Sequence, residues 1–364
     1  MLIAIVGTRC SGKTTVEDYL RHKGFTLVSI QPNTSLTECA QRNNLRLDTD
    51  GGRESTKTET SGHRSVQGQI TGKTLPYVPP HSTEPTPGAL CFPNAAALLD
   101  HVTRNWRITF VTSDLTDRRT LDQFSTKPFF LLVSIDAPLM DRYERYNLRT
   151  NGAHSLEDFV AENDAHVYGH TTGKSILHAP ASLHEVRHMI DLQIVNSFAS
   201  VAAFETHLDA LDLLDPNRLR PDWDTYFMTL ASLASQRSNC MKRRVGAILV
   251  RDKRIVATGY NGTPRGITNC NEGGCPRCNS GQEALDECLC LHAEENALLE
   301  AGRERVGQGA VLYCNTCPCL KCTIKIIQTG VKEVIYNLSY KVDDASAKLF
   351  QEAGIKLRRH APPP

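Results

Sequence analysis

Apolar positions open the chain as a short continuous run, Leu2 to Val6. A glycine-rich turn follows, then spacing that predicts a helix over about Lys13 to Arg21. From about Gln31 to Gly88 aliphatic positions give way to Ser, Thr, Asn, Gly, Pro and Gln. Such a segment buries too little apolar surface to offset its ordering entropy, and it reads as a disordered insertion. Periodicity resumes with a helix near Asn94 to Thr103 and apolar strands at Ile108 to Thr112 and Phe129 to Ile135. Helical stretches follow at about Leu139 to Tyr146, Leu156 to Ala165 and Leu183 to Met189, before a short apolar run from Gln193 to Asn196. Strands alternating with helices predict a parallel α/β domain over residues 1–211.

Residues 212–221, Asp-Leu-Leu-Asp-Pro-Asn-Arg-Leu-Arg-Pro, read as a linker into a second domain over 222–364. Asp222 is placed to cap a helix whose apolar positions Tyr226, Phe227, Leu230, Leu233 and Ala234 recur at helical spacing. Val245 to Val250 and Ile255 to Thr258 are β-rich runs that Arg251 to Arg254 would join as a hairpin. A polar, cysteine-rich loop comes next. Beyond it, strands at Val311 to Cys314, Val334 to Asn337 and Ile355 to Arg358 alternate with helices from Ala293, from Cys319 and near Ala345 to Ala353. A five-stranded sheet flanked by helices is the expectation.

The 364 residues suit two domains of ordinary size, and 41 Lys+Arg against 40 Asp+Glu leave a net charge of +1. That balance disfavours a protein that coats nucleic acid, and no basic-aromatic run suggests one that grips a single strand. No apolar run approaches the ~20 residues that span a bilayer, and Leu2 to Val6 lacks the flank of a secretory signal. We therefore expect a cytoplasmic protein, with the nucleus also open. Of 13 cysteines, Cys10, Cys39 and Cys91 lie in the first part of the chain and the rest beyond residue 239. Crowded thiols without a secretory signal point to metal before disulfides.

His292-Ala293-Glu294 and Pro318-Cys319-Leu320-Lys321-Cys322 each stand where a loop enters a predicted helix. Cys319 and Cys322 share one face of a first helical turn, where the helix dipole favours thiolate. One imidazole and two thiolates make three ligands, which leaves a tetrahedral Zn²⁺ its fourth position for water, the catalytic pattern. Glu294 would reach that water without being a ligand. The combination is the signature of zinc-dependent nucleobase deaminases. In that chemistry Glu294 accepts a proton from the water and returns protons to the ring nitrogen and the departing amine.

Four stretches narrow the class: Arg220 to Met228, Ser238 to Ala247, Thr258-Gly259-Tyr260-Asn261-Gly262-Thr263-Pro264, and His292 to Ala297. Over about residues 220 to 360 the chain resembles the deoxycytidylate (dCMP) deaminases, in the fungal manner, with an extra N-terminal domain. The resemblance implies a cytidine-deaminase-like α/β/α sandwich. It implies zinc on His292, Cys319 and Cys322, proton shuttling by Glu294, and conversion of dCMP and water to dUMP and ammonia for thymidylate synthesis. It also implies a homo-oligomer, a hexamer, activated by dCTP and inhibited by dTTP through the Gly259 to Gly262 loop with Mg²⁺.

For the substrate, the resemblance implies that Asn261 hydrogen-bonds the sugar; a turn residue chosen for positive φ is the alternative. A monophosphate needs cations. Lys242, Arg243 and Arg244 are candidates, against the alternative of a solvated strand end. Tyr340 stands where the family lets a tyrosine approach the phosphate, or else it is a packed aromatic. Cys240, Cys270, Cys275, Cys278, Cys288 and Cys290 exceed what one catalytic zinc uses. Four of them could close a tetrahedron around a second, structural zinc and staple a loop with little core of its own, or all could be reduced thiols. Cys314 and Cys317 read as packing or loop residues.

At the other end of the chain, Gly7-Thr8-Arg9-Cys10-Ser11-Gly12-Lys13-Thr14 fits G-x-x-x-x-G-K-[ST] between a predicted strand and a predicted helix. Gly7 and Gly12 let backbone N–H groups cradle phosphates, with Lys13 on the β/γ oxygens and Thr14 on Mg²⁺. Ile135-Asp136-Ala137-Pro138 with Arg142 and Arg145 resembles P-loop nucleotide kinases. Two features weigh against phosphoryl transfer. The insertion occupies the acceptor region of such kinases, and the acid beside Mg²⁺ is Asp114, Asp136 or neither. A degenerate domain serving regulation or assembly stays open beside a phosphate site.

Overall fold

The computed structural model describes residues 1–31, 89–152, 154–169, 181–280, 287–339 and 344–362. The expected insertion, apart from Gln31, and Tyr340 lie outside these. The chain divides into two compact units, Met1–Leu219 and Arg220–Pro364. The division falls inside the expected linker, but the first part of that segment is packed. Leu213 is fully buried in the core of the first unit, and Pro216–Arg218 form a 3-10 turn.

The first unit is built on a parallel sheet of β1 (Leu2–Gly7), β2 (Thr26–Ile30), β3 (Leu90–Phe92), β4 (Phe110–Thr112), β5 (Phe130–Asp136) and β6 (Leu192–Val195), in the order β3-β2-β4-β1-β5-β6. Every residue of β1 is buried, as a central parallel strand with both faces covered must be. Its side chains alternate between two cores. Ile3 and Ile5 meet Val16, Leu20 and Phe204, whereas Leu2 and Ala4 meet Leu98 and Phe124. β2, β3, the helix Arg118–Ser125 and the helix Val201–Leu211 were not expected from the sequence.

The second unit carries β7 (Gly246–Arg251), β8 (Arg254–Tyr260), β9 (Val311–Thr316), β10 (Glu333–Leu338) and β11 (Lys356–Arg359), ordered β11-β10-β9-β7-β8. β7 runs antiparallel to β8 and β9, while β9, β10 and β11 are mutually parallel. The β7–β8 hairpin closes through Asp252 and Lys253, both at positive φ (51° and 60°), as a two-residue turn between twisted strands requires.

Asp222 caps the helix Trp223–Ser235 by accepting from the Thr225 N–H at 2.7 Å. That helix packs Phe227, Met228 and Ala231 on one face of the sheet. Tyr226 and Leu233, expected on its apolar stripe, are 42% and 57% exposed, because the buried stripe runs through 227, 228, 231 and 235. Helices Ala293–Val306 and Leu320–Thr329 cover the opposite face, where Ala293 and Ala297 meet Ala247, Leu249 and Leu312. The unit is thus helix, sheet and helix in three layers. Among the described residues no helix is long and apolar enough to cross a membrane.

Candidate metal-dependent active site

His292 is the N-cap residue of helix Ala293–Val306, and Cys319 that of helix Leu320–Thr329, with Cys322 in the latter's first turn. The two helices lie side by side on one face of the sheet, and their N-termini bring the three donors together. His292 Nδ1 lies 3.4 Å from Cys319 Sγ and 3.3 Å from Cys322 Sγ. On a tetrahedral ion with bonds of ~2.0 and ~2.3 Å, an imidazole nitrogen and a thiolate stand about 3.5 Å apart. The spacing fits one Zn²⁺, and the donor set is one that zinc takes. The Cys319 thiol is held down to about 3, chiefly by its hydrogen bond with Cys322 and then by that with His292. His292 is pushed up above its ordinary value, first by the same contact with Cys319.

Glu294 lies one residue into its helix and is 3% exposed. Burial pushes its carboxyl above the usual carboxylate range. Cys314, fully buried on β9, is raised well above the usual thiol range by burial and then by that carboxylate. Cys314 belongs to the core beneath the site and stands outside the donor group of His292, Cys319 and Cys322.

The approach of β8 to this helix depends on Gly259. A Cβ there would stand 2.0 Å from the Ala293 carbonyl oxygen and 2.5 Å from the Ala297 nitrogen. Two residues on, Asn261 is buried, and its Oδ1 accepts from the Ala293 N–H at 2.8 Å. Asn261 is not among the residues at positive φ, which removes the turn-residue alternative. Asn296 Nδ2 donates to the Tyr260 carbonyl at 2.7 Å, and Gly262 and Leu291 exchange backbone hydrogen bonds of 3.2 and 2.8 Å. The loop and the helix that follows His292 are one hydrogen-bonded piece.

A cavity of about 600 Å³ opens onto His292, Glu294, Cys319 and Cys322, with Asn261 in its wall. Lys242 and Arg243 line it, whereas Arg244, exposed like them, does not. Three further cations, not expected from the sequence, line the cavity: Arg277, Lys321 and Lys325. Lys321 pairs with Glu287 at 3.2 Å, and Lys325 with Glu295. The available signal was the i, i+4 spacing of Lys321 and Lys325 beside the metal cysteines. Cys317 also lines the cavity, while all six remaining candidate cysteines of this unit gather in two overlapping groups of four.

In the first unit the glycine-rich turn leads into the helix Lys13–His22, with Gly12 at its N-cap in a left-handed conformation (φ 104°). Lys13 Nζ donates to the Gly7 and Thr8 carbonyls at 2.9 and 2.8 Å. A cavity of about 290 Å³ lies over this turn and is lined by Gly12, Lys13 and Thr14. Asp136 accepts from Thr8 Oγ1 at 2.6 Å, and Asp114 accepts from the Ile30 N–H at 2.8 Å. Asp136 is therefore the acid next to the turn, and Asp114 fastens the end of β2.

The family model for the cytidine and deoxycytidylate deaminase zinc-binding region matches residues 221–338. A deoxycytidylate deaminase of Schizosaccharomyces pombe is 50% identical over 281 residues, 76% of this chain and 84% of that protein. One of Saccharomyces cerevisiae is 46% identical over 277 residues, 73% of this chain and 86% of that protein. A solved structure of dCMP deaminase from the cyanophage S-TIM5, in complex with dCMP and dUMP, is 35% identical. It covers 39% of this chain and 98% of that one at a TM-score of 0.34. Arg220–Pro364 holds 145 residues (364 − 219), so a match over 76% of the chain includes much of the first unit as well.

Proposed function

The chain belongs to the deoxycytidylate deaminase family, and we propose that its second unit converts dCMP and water to dUMP and ammonia at a zinc ion held by His292, Cys319 and Cys322. The observation that carries this reading is the convergence of the imidazole on two thiols at 3.3 and 3.4 Å, with a buried carboxylate beside them in a cavity. Zinc bound by those donors supplies Lewis acidity and brings the pKa of a water toward neutrality. The residues of the chain do the rest. Glu294 takes a proton from the water, whose oxygen bonds to C4. The carboxyl passes that proton to N3, then takes the proton still on the new C4 hydroxyl and gives it to the amine; the C4–N bond breaks as the C4 carbonyl forms, and ammonia leaves. A carboxyl raised by burial suits both the acid and the base step.

With Asn261 Oδ1 committed to the Ala293 N–H, its amide NH₂ is left to donate to a sugar hydroxyl. Arg243, with Lys242, is the cation for the phosphate, and Tyr340 remains a candidate beside it. Arg244, outside the cavity wall, drops out of that role. We assign the deaminase fold, an α/β/α sandwich, to residues 222–364. The protein works as a homo-oligomer, a hexamer, that dCTP activates and dTTP inhibits, with Mg²⁺, at the Gly259 to Gly262 loop. Support for the loop comes from its hydrogen bonds to Ala293 and Asn296, through which a nucleotide there would bear on the helix of Glu294.

The P-loop geometry of Gly7, Gly12, Lys13 and Thr14 favours a second reading for the first unit: a nucleotide phosphate site that serves regulation. Lys13 on the loop carbonyls and the cavity over the turn support it.

The test follows ultraviolet loss with dCMP, CMP, deoxycytidine and cytosine-containing single strands, each with and without dCTP or dTTP. dCMP should turn over fastest, with dCTP raising and dTTP lowering the rate. Preference for deoxycytidine over dCMP would overturn the phosphate assignment.

A further inference from the structure

We infer that Cys240, Cys270, Cys275, Cys278, Cys288 and Cys290 hold a two-zinc cluster in which Cys278 and Cys290 bridge the ions. The sulfurs of Cys240, Cys270, Cys278 and Cys290 lie within 4.8 Å of one another, and so do those of Cys275, Cys278, Cys288 and Cys290. The two groups share two members, Cys278 and Cys290. Cys278 stands 3.9 Å from Cys240, 3.5 Å from Cys288 and 4.0 Å from Cys290, and Cys275 stands 3.8 Å from Cys288. Two thiolates on a tetrahedral zinc with bonds of ~2.3 Å are about 3.8 Å apart, whereas a disulfide holds its sulfurs at ~2.05 Å. The spacing is that of ligands on an ion.

The count of donors decides between one ion and two. A single four-coordinate zinc in either group strands two thiols of the other, one of them fully buried in each case: Cys270 or Cys275. Two ions, each with two sulfurs of its own and both shared ones, use all six and strand none. Six thiolates and two Zn²⁺ sum to −2, the charge of an ordinary single zinc on four thiolates. Polar groups meet the sulfur of Cys270: the Met241 N–H at 3.4 Å and the Asn279 amide at 3.8 Å.

The surroundings explain why a metal is wanted. The buried residues of this loop form a cluster of Cys270, Cys275 and Cys290, with Cys240 and Cys278 packed against it. No aliphatic side chain belongs to that cluster among the described residues, and the helical pieces there are short, Cys270–Glu272 and Pro276–Asn279. With no buried aliphatic side chain among the loop's described residues, metal binding would supply the folding free energy. Cys290 precedes His292 by two residues, and Cys240, Cys278, Cys288 and Cys290 line the same cavity as His292. The cluster would then anchor the chain just before it presents the catalytic imidazole.

Elemental analysis and native mass spectrometry of the zinc-loaded full chain test this. Three zinc ions per chain are expected, with a metal–metal path and a sulfur-rich shell in X-ray absorption. The His292→Ala variant separates the two centres. It keeps two ions if the cluster is binuclear and one if it holds a single ion, whichever way the catalytic assignment falls. Cys288→Ser, at the exposed end of the cluster, should bind one ion fewer than the wild type. One zinc in the His292→Ala variant, or no metal–metal path, overturns the proposal. So does iron with visible absorption in place of zinc.

Discussion

Gly259→Ala adds a single methyl group where β8 passes under the helix Ala293–Val306. The new Cβ would stand 2.0 Å from the Ala293 carbonyl oxygen, and reaching even the 3.0 Å below which real contacts essentially never fall needs a retreat of about 1 Å. Both atoms it meets first are backbone, so no side chain can swing away. Overpacking of this kind costs roughly 1–3 kcal/mol, a fall in Tm on the order of 2–10 °C for a unit of this size. The larger effect is on chemistry. Ala293 lies between His292 and Glu294, and a displacement of ~1 Å in positioned groups costs on the order of 100-fold in turnover. Gly246→Ala is the control, because its Cβ would strike Ala231 and Ser235 on the helix of the opposite face. The assay pairs initial rates of dCMP loss with thermal unfolding and zinc content. Gly259→Ala should lose about two orders of magnitude in kcat, and Gly246→Ala should lose stability with a much smaller change in kcat. Equal kcat losses in the two variants, or wild-type kcat in Gly259→Ala, would refute the reasoning.

Two further outcomes follow from the site. Glu294→Gln preserves shape and removes the proton carrier, so it should keep its zinc by metal analysis while kcat falls by roughly 10²–10⁴; full turnover would remove Glu294 from the mechanism. Arg243→Ala should raise KM for dCMP roughly tenfold and leave that for deoxycytidine unchanged, as loss of one charge-assisted contact to a phosphate predicts. A parallel rise for both substrates would place Arg243 away from the phosphate.

The convergence of His292, Cys319 and Cys322 was legible in the sequence because each stands at a fixed offset from the start of a helix, and helix starts carry local signals. The strands of the second unit were legible for a similar reason: β7, β9 and β10 are apolar runs bounded by polar turns. β3 was not, since its three residues pair with β2 across some sixty residues of chain, and no local pattern marks that partnership. The stripe of helix Trp223–Ser235 was misplaced because Tyr226 and Leu233 are apolar without being inward. Arg244 could not be told from Arg243 by type or spacing, as only the direction of the chain entering β7 separates them. The sharing of Cys278 and Cys290 depends on three separate segments converging, which residue spacing cannot express.

The paired hydrogen bonds between Gly262 and Leu291 form a neck where the cysteine-rich loop leaves and rejoins the scaffold. Since each doubling of such a loop adds only ~0.6 kcal/mol of closure entropy, its length can drift while the neck stays fixed. Length changes that keep all six cysteines are accordingly the practical route to reshaping the mouth of the cavity, whereas a graft that replaced the whole segment would remove the sulfurs that hold the chain ahead of His292.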